Sequence, residues 1–143
     1  MRTAIDTNVL SALLSREPQT VAAMQQLGRC REVGALLISP IVFAELHAYP
    51  GMTSTFLNQF LSATRIEVGL HMDESVWTEA GQRFARYASR RRRDPNGHDP
   101  RRLLADFVVG AHALVHADRL LTFDIGIFKR NFPELRLYAN PTQ

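Results

Sequence analysis

The chain reads as an α/β fold, a parallel sheet of about five strands with helices on both faces. Three observations predict it. Short apolar, branched runs such as "ALLIS" (35–39) and "RLLTF" (119–123) alternate with longer stretches of helical periodicity. Turn formers cut these stretches cleanly, as "YPG" does at 49–51 and "DPNGHDP" at 94–100. The length, 143 residues with 45% hydrophobic and 22% charged side chains, suits one globular domain over residues 1–143.

Taken in order, a first strand covers 3–5 and is closed by Asp6, and a helix follows over 7–15. Pro18 and Thr20 introduce a second helix over about 20–30. The strand at 35–39 leads into Pro40, which suits the first turn of a helix over 41–49. Residues 53–63 read as a helix and 65–69 as a third strand. A long helix runs from Asp73 to about Arg92, and after the break at 94–100 the next covers 101–117. A fourth strand at 119–123, a helical turn at 126–131 and a fifth strand at 135–139 complete the order. No repeat or low-complexity linker interrupts it.

Composition narrows the function. No apolar stretch approaches the ~20 residues of a membrane span, and no secretory signal is visible. Cys30 is the single cysteine, so no disulfide forms within the chain and a cytoplasmic location is expected. The formal charge is +3, with one lysine among the 17 basic residues and arginine for the rest. Arginine suits bidentate contact with phosphate, which makes an anionic polymer a reasonable partner.

Four acids carry the chemistry. In a parallel sheet with right-handed crossovers all strand carboxyl ends share one edge, where helices that follow strands also begin. Asp6 and Asp124 each follow an apolar strand directly. Glu45, in "IVFAELHAY", shares a largely apolar helical face, where burying a carboxylate is costly without a partner. Asp106, in "RRLLADFVVGAHAL", flanks an apolar arc in the second turn of its helix, and Gly110 leaves space beside it. Each acid alone has a bland account as a cap, an ion-pair partner or a surface acid. Four at one edge repel one another unless a cation neutralises them, and hard oxygen ligands select Mg²⁺ or Mn²⁺.

The motifs "IDTNVL", the Glu of "FAEL", "LADFVVGAHAL" and "LLTFDIGIFKRNFPEL" resemble, in order and spacing, those of PIN-domain nucleases, particularly VapC-like toxins of bacterial toxin–antitoxin pairs. The resemblance runs from Asp6 to about Leu137. It implies a three-layer α/β/α sandwich and metal-dependent endoribonuclease activity. Asp6, Glu45, Asp106 and Asp124 become the acidic quartet around Mg²⁺ or Mn²⁺, with Thr7, Asn8 and Thr122 orienting them. It also implies a small antitoxin protein as partner and a homodimer. One departure is Ile127, where relatives often carry an aromatic; Phe128 stands next to it.

Other chemistries fit less well. His112 and His116 are spaced i, i+4 without a His-Glu-x-x-His pattern, and packed or solvent-facing histidines are expected. There is no G-x-S-x-G elbow and no P-loop. A phospho-acceptor role for Asp6 leaves Glu45 unused. The rival from another class is an RNA-binding or regulatory module without turnover, whose hallmark, a missing acid, is absent. Finally, Arg83, Arg86, Arg90, Arg91, Arg92, Arg93, Arg101 and Arg102 crowd one stretch. Helix-end electrostatics account for one or two of them. Arg90 to Arg93, Arg101 and Arg102 are expected to form a basic rim that grips RNA phosphates beside the acids.

Overall fold

The structure is a computed structural model and describes residues 1–94, 96–97 and 101–139. Four strands, β1 (Arg2–Ile5), β2 (Ala35–Ile38), β3 (Ile66–Val68) and β4 (Arg119–Leu121), form a parallel sheet in the order β3-β2-β1-β4. Ala4, Ile5, Leu36, Leu37, Ile38, Leu120 and Leu121 are all buried, without polar alternation, because both faces of the sheet are covered. Helices α1 (Thr7–Leu14) and α2 (Thr20–Val33) join β1 to β2. Helices α3 (Pro40–Leu46) and α4 (Ser54–Thr64) join β2 to β3, and α5 (Glu74–Arg93) and α6 (Leu104–His116) join β3 to β4. A short α7 (Ile125–Asn131) follows β4.

The strand order fixes the layers. From β1 the chain steps outward to β2 and β3, then returns past β1 to β4. Right-handed crossovers in opposite directions put α1–α4 on one face and α5–α6 on the other. Local chemistry sets the helix ends. The Ser39 hydroxyl accepts from Val42 N at 3.2 Å beside Pro40, and the Thr53 hydroxyl accepts from Phe56 N at 3.1 Å. Arg65, at φ 56°, closes α4 in the left-handed conformation.

Three expectations need correction. The fifth strand over 135–139 shrinks to a single parallel bridge, Leu120 to Leu137, flanked by Leu120 N to Arg136 O at 2.9 Å and Tyr138 N to Leu120 O at 2.8 Å. Leu135 and Tyr138 are buried, Leu137 is half-buried and Arg136 is exposed, without the continuous burial of β1, β2 and β4. The helix expected from residue 101 begins at Leu104, which moves Asp106 from the second turn into the first. Gly110 does not open space beside Asp106. A Cβ there would lie 2.5 Å from a Phe132 ring carbon, so the glycine admits that ring against α6. Of the break over 94–100, Pro95 and residues 98–100 lie outside the described residues. Among the described residues no helix is long and apolar enough to cross a membrane.

Candidate active site

The sheet order makes the space between β1 and β4 special. Connections leave these neighbouring strands toward opposite faces, so a crevice opens outside their carboxyl ends. Asp6 directly follows β1, and Asp124 stands three residues beyond β4 and begins α7. Residue pairing of Ile5 with Leu121 sets Asp6 beside Thr122, with Asp6 N donating to Leu121 O at 3.0 Å. Glu45 comes in on α3 and Asp106 on the first turn of α6.

A chain of hydrogen bonds ties three of the acids together. One Asp6 carboxylate oxygen accepts from Thr7 N at 2.8 Å; the other accepts from the Thr122 hydroxyl at 2.8 Å and from Asn8 Nδ2 at 3.3 Å. Asp6 therefore does cap α1, but its second oxygen is held by groups that capping does not require. Thr122 Oγ1 also accepts from Asp124 N at 3.0 Å and from Asn8 Nδ2 at 3.4 Å, which leaves its single proton directed at Asp6. Asn8 Oδ1 in turn accepts from Phe123 N at 3.2 Å. On the other side the Thr7 hydroxyl donates to Glu45 Oε1 at 2.9 Å. Glu45 is exposed, so the burial cost that its apolar neighbours suggested does not arise. Asp106 is held separately by Leu103 N, at 3.3 Å.

Electrostatics joins Asp106 to the others. Burial pushes the Asp6 carboxyl up to about 6; the Thr122 and Thr7 hydrogen bonds oppose this, and the charges of Asp106 and Glu45 add to it. Burial also raises Asp106, with a bond from Leu103 N and the charge of Arg102 opposing and the charge of Asp124 adding. Crowded, part-buried oxygen ligands of one sign fit a hard divalent cation. As they stand, no three His, Cys, Asp or Glu side chains among the described residues are grouped closely enough to enclose one. A positive charge of the protein itself reaches the acids: Arg102 Nη1 donates to Asp124 Oδ2 at 2.6 Å.

The PIN domain model matches residues 3–132, a span that runs from β1 through α7 and includes all four acids. The chain belongs to the PIN domain family. Among curated proteins no sequence matches significantly. Solved structures that resemble this PIN domain include VapBC2 from Rickettsia felis bound to a DNA fragment from its promoter, at 22% identity and TM-score 0.72. That match covers 96% of this chain and 98% of the other. VapBC-1 from nontypeable Haemophilus influenzae matches at 20% identity and TM-score 0.66, covering 97% and 98%. A toxin–antitoxin complex from Klebsiella pneumoniae matches at 17% identity and TM-score 0.56, covering 96% of each chain. At these identities the likeness is one of fold.

The arginines of this PIN domain divide into groups that the sequence stretch does not distinguish. Arg83 is buried: it pairs with Glu79 and Glu134, each at 2.9 Å, donates to Asn131 O at 2.8 Å, and lies 4.7 Å from the Phe132 ring centroid. Arg90 turns toward α7, donating to Asn131 Oδ1 at 2.6 Å. Arg91, Arg92, Arg101 and Arg102 instead line a concavity of ≈ 370 Å³ between α5 and the start of α6, floored by Phe84, Tyr87 and Ala88. Arg86 and Arg93 are exposed. Tyr87 escaped the sequence reading; its hydroxyl accepts from Arg102 N and so anchors the segment that carries Arg102. Its only signal was its place on the buried stripe Val76, Ala80, Arg83, Tyr87 of α5.

The histidine pair is structural. His112 is buried with its Nε2 3.0 Å from Gly69 O, and His116 Nε2 lies 2.8 Å from Asp73 Oδ1. Ile127 and Phe128 both enter the core, so the departure at Ile127 is absorbed by packing.

Proposed function

We propose that this PIN domain is a Mg²⁺- or Mn²⁺-dependent endoribonuclease and the toxin of a toxin–antitoxin pair. One observation supports the reading: hydrogen bonds through Thr7 and Thr122 link Asp6 to Glu45 and Asp124 beyond the ends of β1 and β4, and burial with neighbouring acidic charge raises the carboxyls of Asp6 and Asp106 above the ordinary range. Such an arrangement is unfavourable for the metal-free fold and favourable for a cation. Asp6 and Asp106 would hold the metal, with Asp124 bound directly or through water. When bound, the ion neutralises phosphodiester charge, activates water and stabilises the leaving oxygen. Glu45, exposed and hydrogen-bonded by the Thr7 hydroxyl, would act as an outer ligand or take the proton of the attacking water. Thr122 and Asn8 keep the Asp6 carboxylate in one orientation.

A small antitoxin protein as partner, assembly as a homodimer and action in the cytoplasm belong to the same proposal. Its support is the resemblance of motifs and the shared fold with a chain of a toxin–antitoxin complex. Expression of the wild-type chain should arrest growth with loss of intact RNA, and the Asp6→Asn protein, expressed to the same level, should do neither. Harmless accumulation of folded, cleavage-competent wild-type protein would remove the toxin reading and leave the nuclease one.

The basic rim also belongs to this proposal. Arg91, Arg92, Arg93 and Arg101 are assigned to phosphates flanking the scissile one, joined by Arg102; Arg90, bound to Asn131, contributes from behind them. Changing Arg91, Arg92, Arg93 and Arg101 together to Gln should weaken RNA binding. It should also lower the slope of log affinity against log salt by up to ~3, at ~0.7 per phosphate contact on a single strand. Cleavage at saturating RNA should fall far less than in Asp6→Asn. Unchanged affinity and slope would make the run a solvated face.

A further inference from the structure

Arg102 forms an ion pair inside the acidic cluster, to Asp124 Oδ2 at 2.6 Å. Its side chain is 22% exposed and that of Asp124 40%, so the pair sits at the mouth of the crevice, neither sealed from solvent nor free in it. The bond from Arg102 N to the buried Tyr87 hydroxyl tethers the backbone one side chain's length from the acids. The guanidinium also acts on Asp106, whose carboxyl its charge pulls down against burial. Arg102 thus faces two acids that the proposed function assigns to a metal, and it lines the basic concavity assigned to RNA.

An oxygen engaged with a guanidinium is a poorer ligand for a cation, and a guanidinium engaged with a carboxylate is a poorer partner for phosphate. Arginine cannot escape by deprotonation, so it must exchange partners. We infer that Arg102 is an exchangeable counter-ion: it occupies Asp124 while no metal is bound, yields that carboxylate to a divalent cation, and turns to a phosphate of the RNA. Metal loading and RNA engagement are thereby coupled through one side chain. The inference rests on the reading of the cluster as a metal site for RNA cleavage.

Two measurements test it, neither reading activity. In the first, Mn²⁺ binding is followed by electron paramagnetic resonance in the wild type, Arg102→Gln and Arg101→Gln. Arg102→Gln should bind Mn²⁺ about 3–5-fold more tightly, the upper part of the range for losing a competing, partly exposed ion pair. Arg101→Gln, the same change in net charge one residue away, should shift affinity less than about twofold. In the second, single-stranded RNA binding is measured in chelator, where no metal-dependent cleavage occurs. Asp124→Asn should strengthen it about 3–10-fold by freeing Arg102, and this gain should vanish when Arg102→Gln is also present. Mn²⁺ affinities equal in Arg102→Gln and Arg101→Gln would overturn the inference, as would an Asp124→Asn gain that survives loss of Arg102. Absence of Mn²⁺ binding in every variant would instead overturn the metal reading itself, and the inference with it.

Discussion

Asp6→Asn and Asp106→Asn are each expected to abolish metal-dependent RNA cleavage while leaving the fold intact. The loss should exceed the ~10–100-fold typical of removing a group that only orients a ligand, as Thr122→Val would. Stability should move the other way. The Asp6 carboxyl is raised from an ordinary 3.8 to about 6, so the folded metal-free protein holds this proton more tightly than the unfolded chain. The contribution of Asp6 to stability is therefore fully present below about pH 4 and is lost as the pH rises through 6. Above that, the ionised form costs about 3 kcal/mol relative to the protonated one. Asp6→Asn should remove this slope, so that metal-free unfolding by urea shows the variant more stable than wild type at pH 8 and similar at pH 4. Near-wild-type turnover in either variant, with an unchanged metal requirement, would remove that acid from the site.

Arg83→Ala is expected to be among the most destabilising single changes in the arginine-rich stretch. The guanidinium is buried against the Phe132 ring and satisfies Glu79, Glu134 and the Asn131 carbonyl. Phe132 also packs on Gly110, so removing Arg83 loosens the contact between α5, α6 and the end of α7. Both glutamates keep access to water, so the cost lies below the 3–5 kcal/mol of breaking a fully buried pair, at about 2–3 kcal/mol. This corresponds to a melting temperature lower by on the order of 10 °C. Arg92→Ala, on the exposed side of the same helix, should leave the melting temperature unchanged. Equal melting temperatures for the two variants would contradict the division of the arginines described above.

The acids were legible because an acid that ends an apolar run marks a strand's carboxyl end, and parallel strands share that end. Asp6 directly follows β1 as that reasoning expects, Asp124 stands three residues beyond β4, and Glu45 and Asp106 lie on helices near the same edge. That β1 and β4 are neighbours was not legible: strand order depends on which faces the helices cover, and no local pattern encodes it. The arginines misled for a related reason. A run of like charges suggests one solvated face, but Arg83 shares a stripe with Val76, Ala80 and Tyr87, and that spacing carries it into the core. Gly110 showed the opposite limit, since a missing side chain says nothing of which ring will fill the space. The fifth strand was overread because apolar composition alone does not distinguish a paired strand from an edge segment held by one bridge.

The crevice between β1 and β4 is proposed to cut RNA with a divalent cation held by its carboxylates. The most direct measurement follows single-stranded RNA incubated with the purified wild-type protein, with Mn²⁺, then with excess chelator, then with Mn²⁺ restored, beside Asp106→Asn under the same conditions. Fragments are expected with Mn²⁺, none with chelator, recovery on restoring the metal, and none at any stage with Asp106→Asn. Fragments that persist in chelator, or that Asp106→Asn produces equally well, would contradict it.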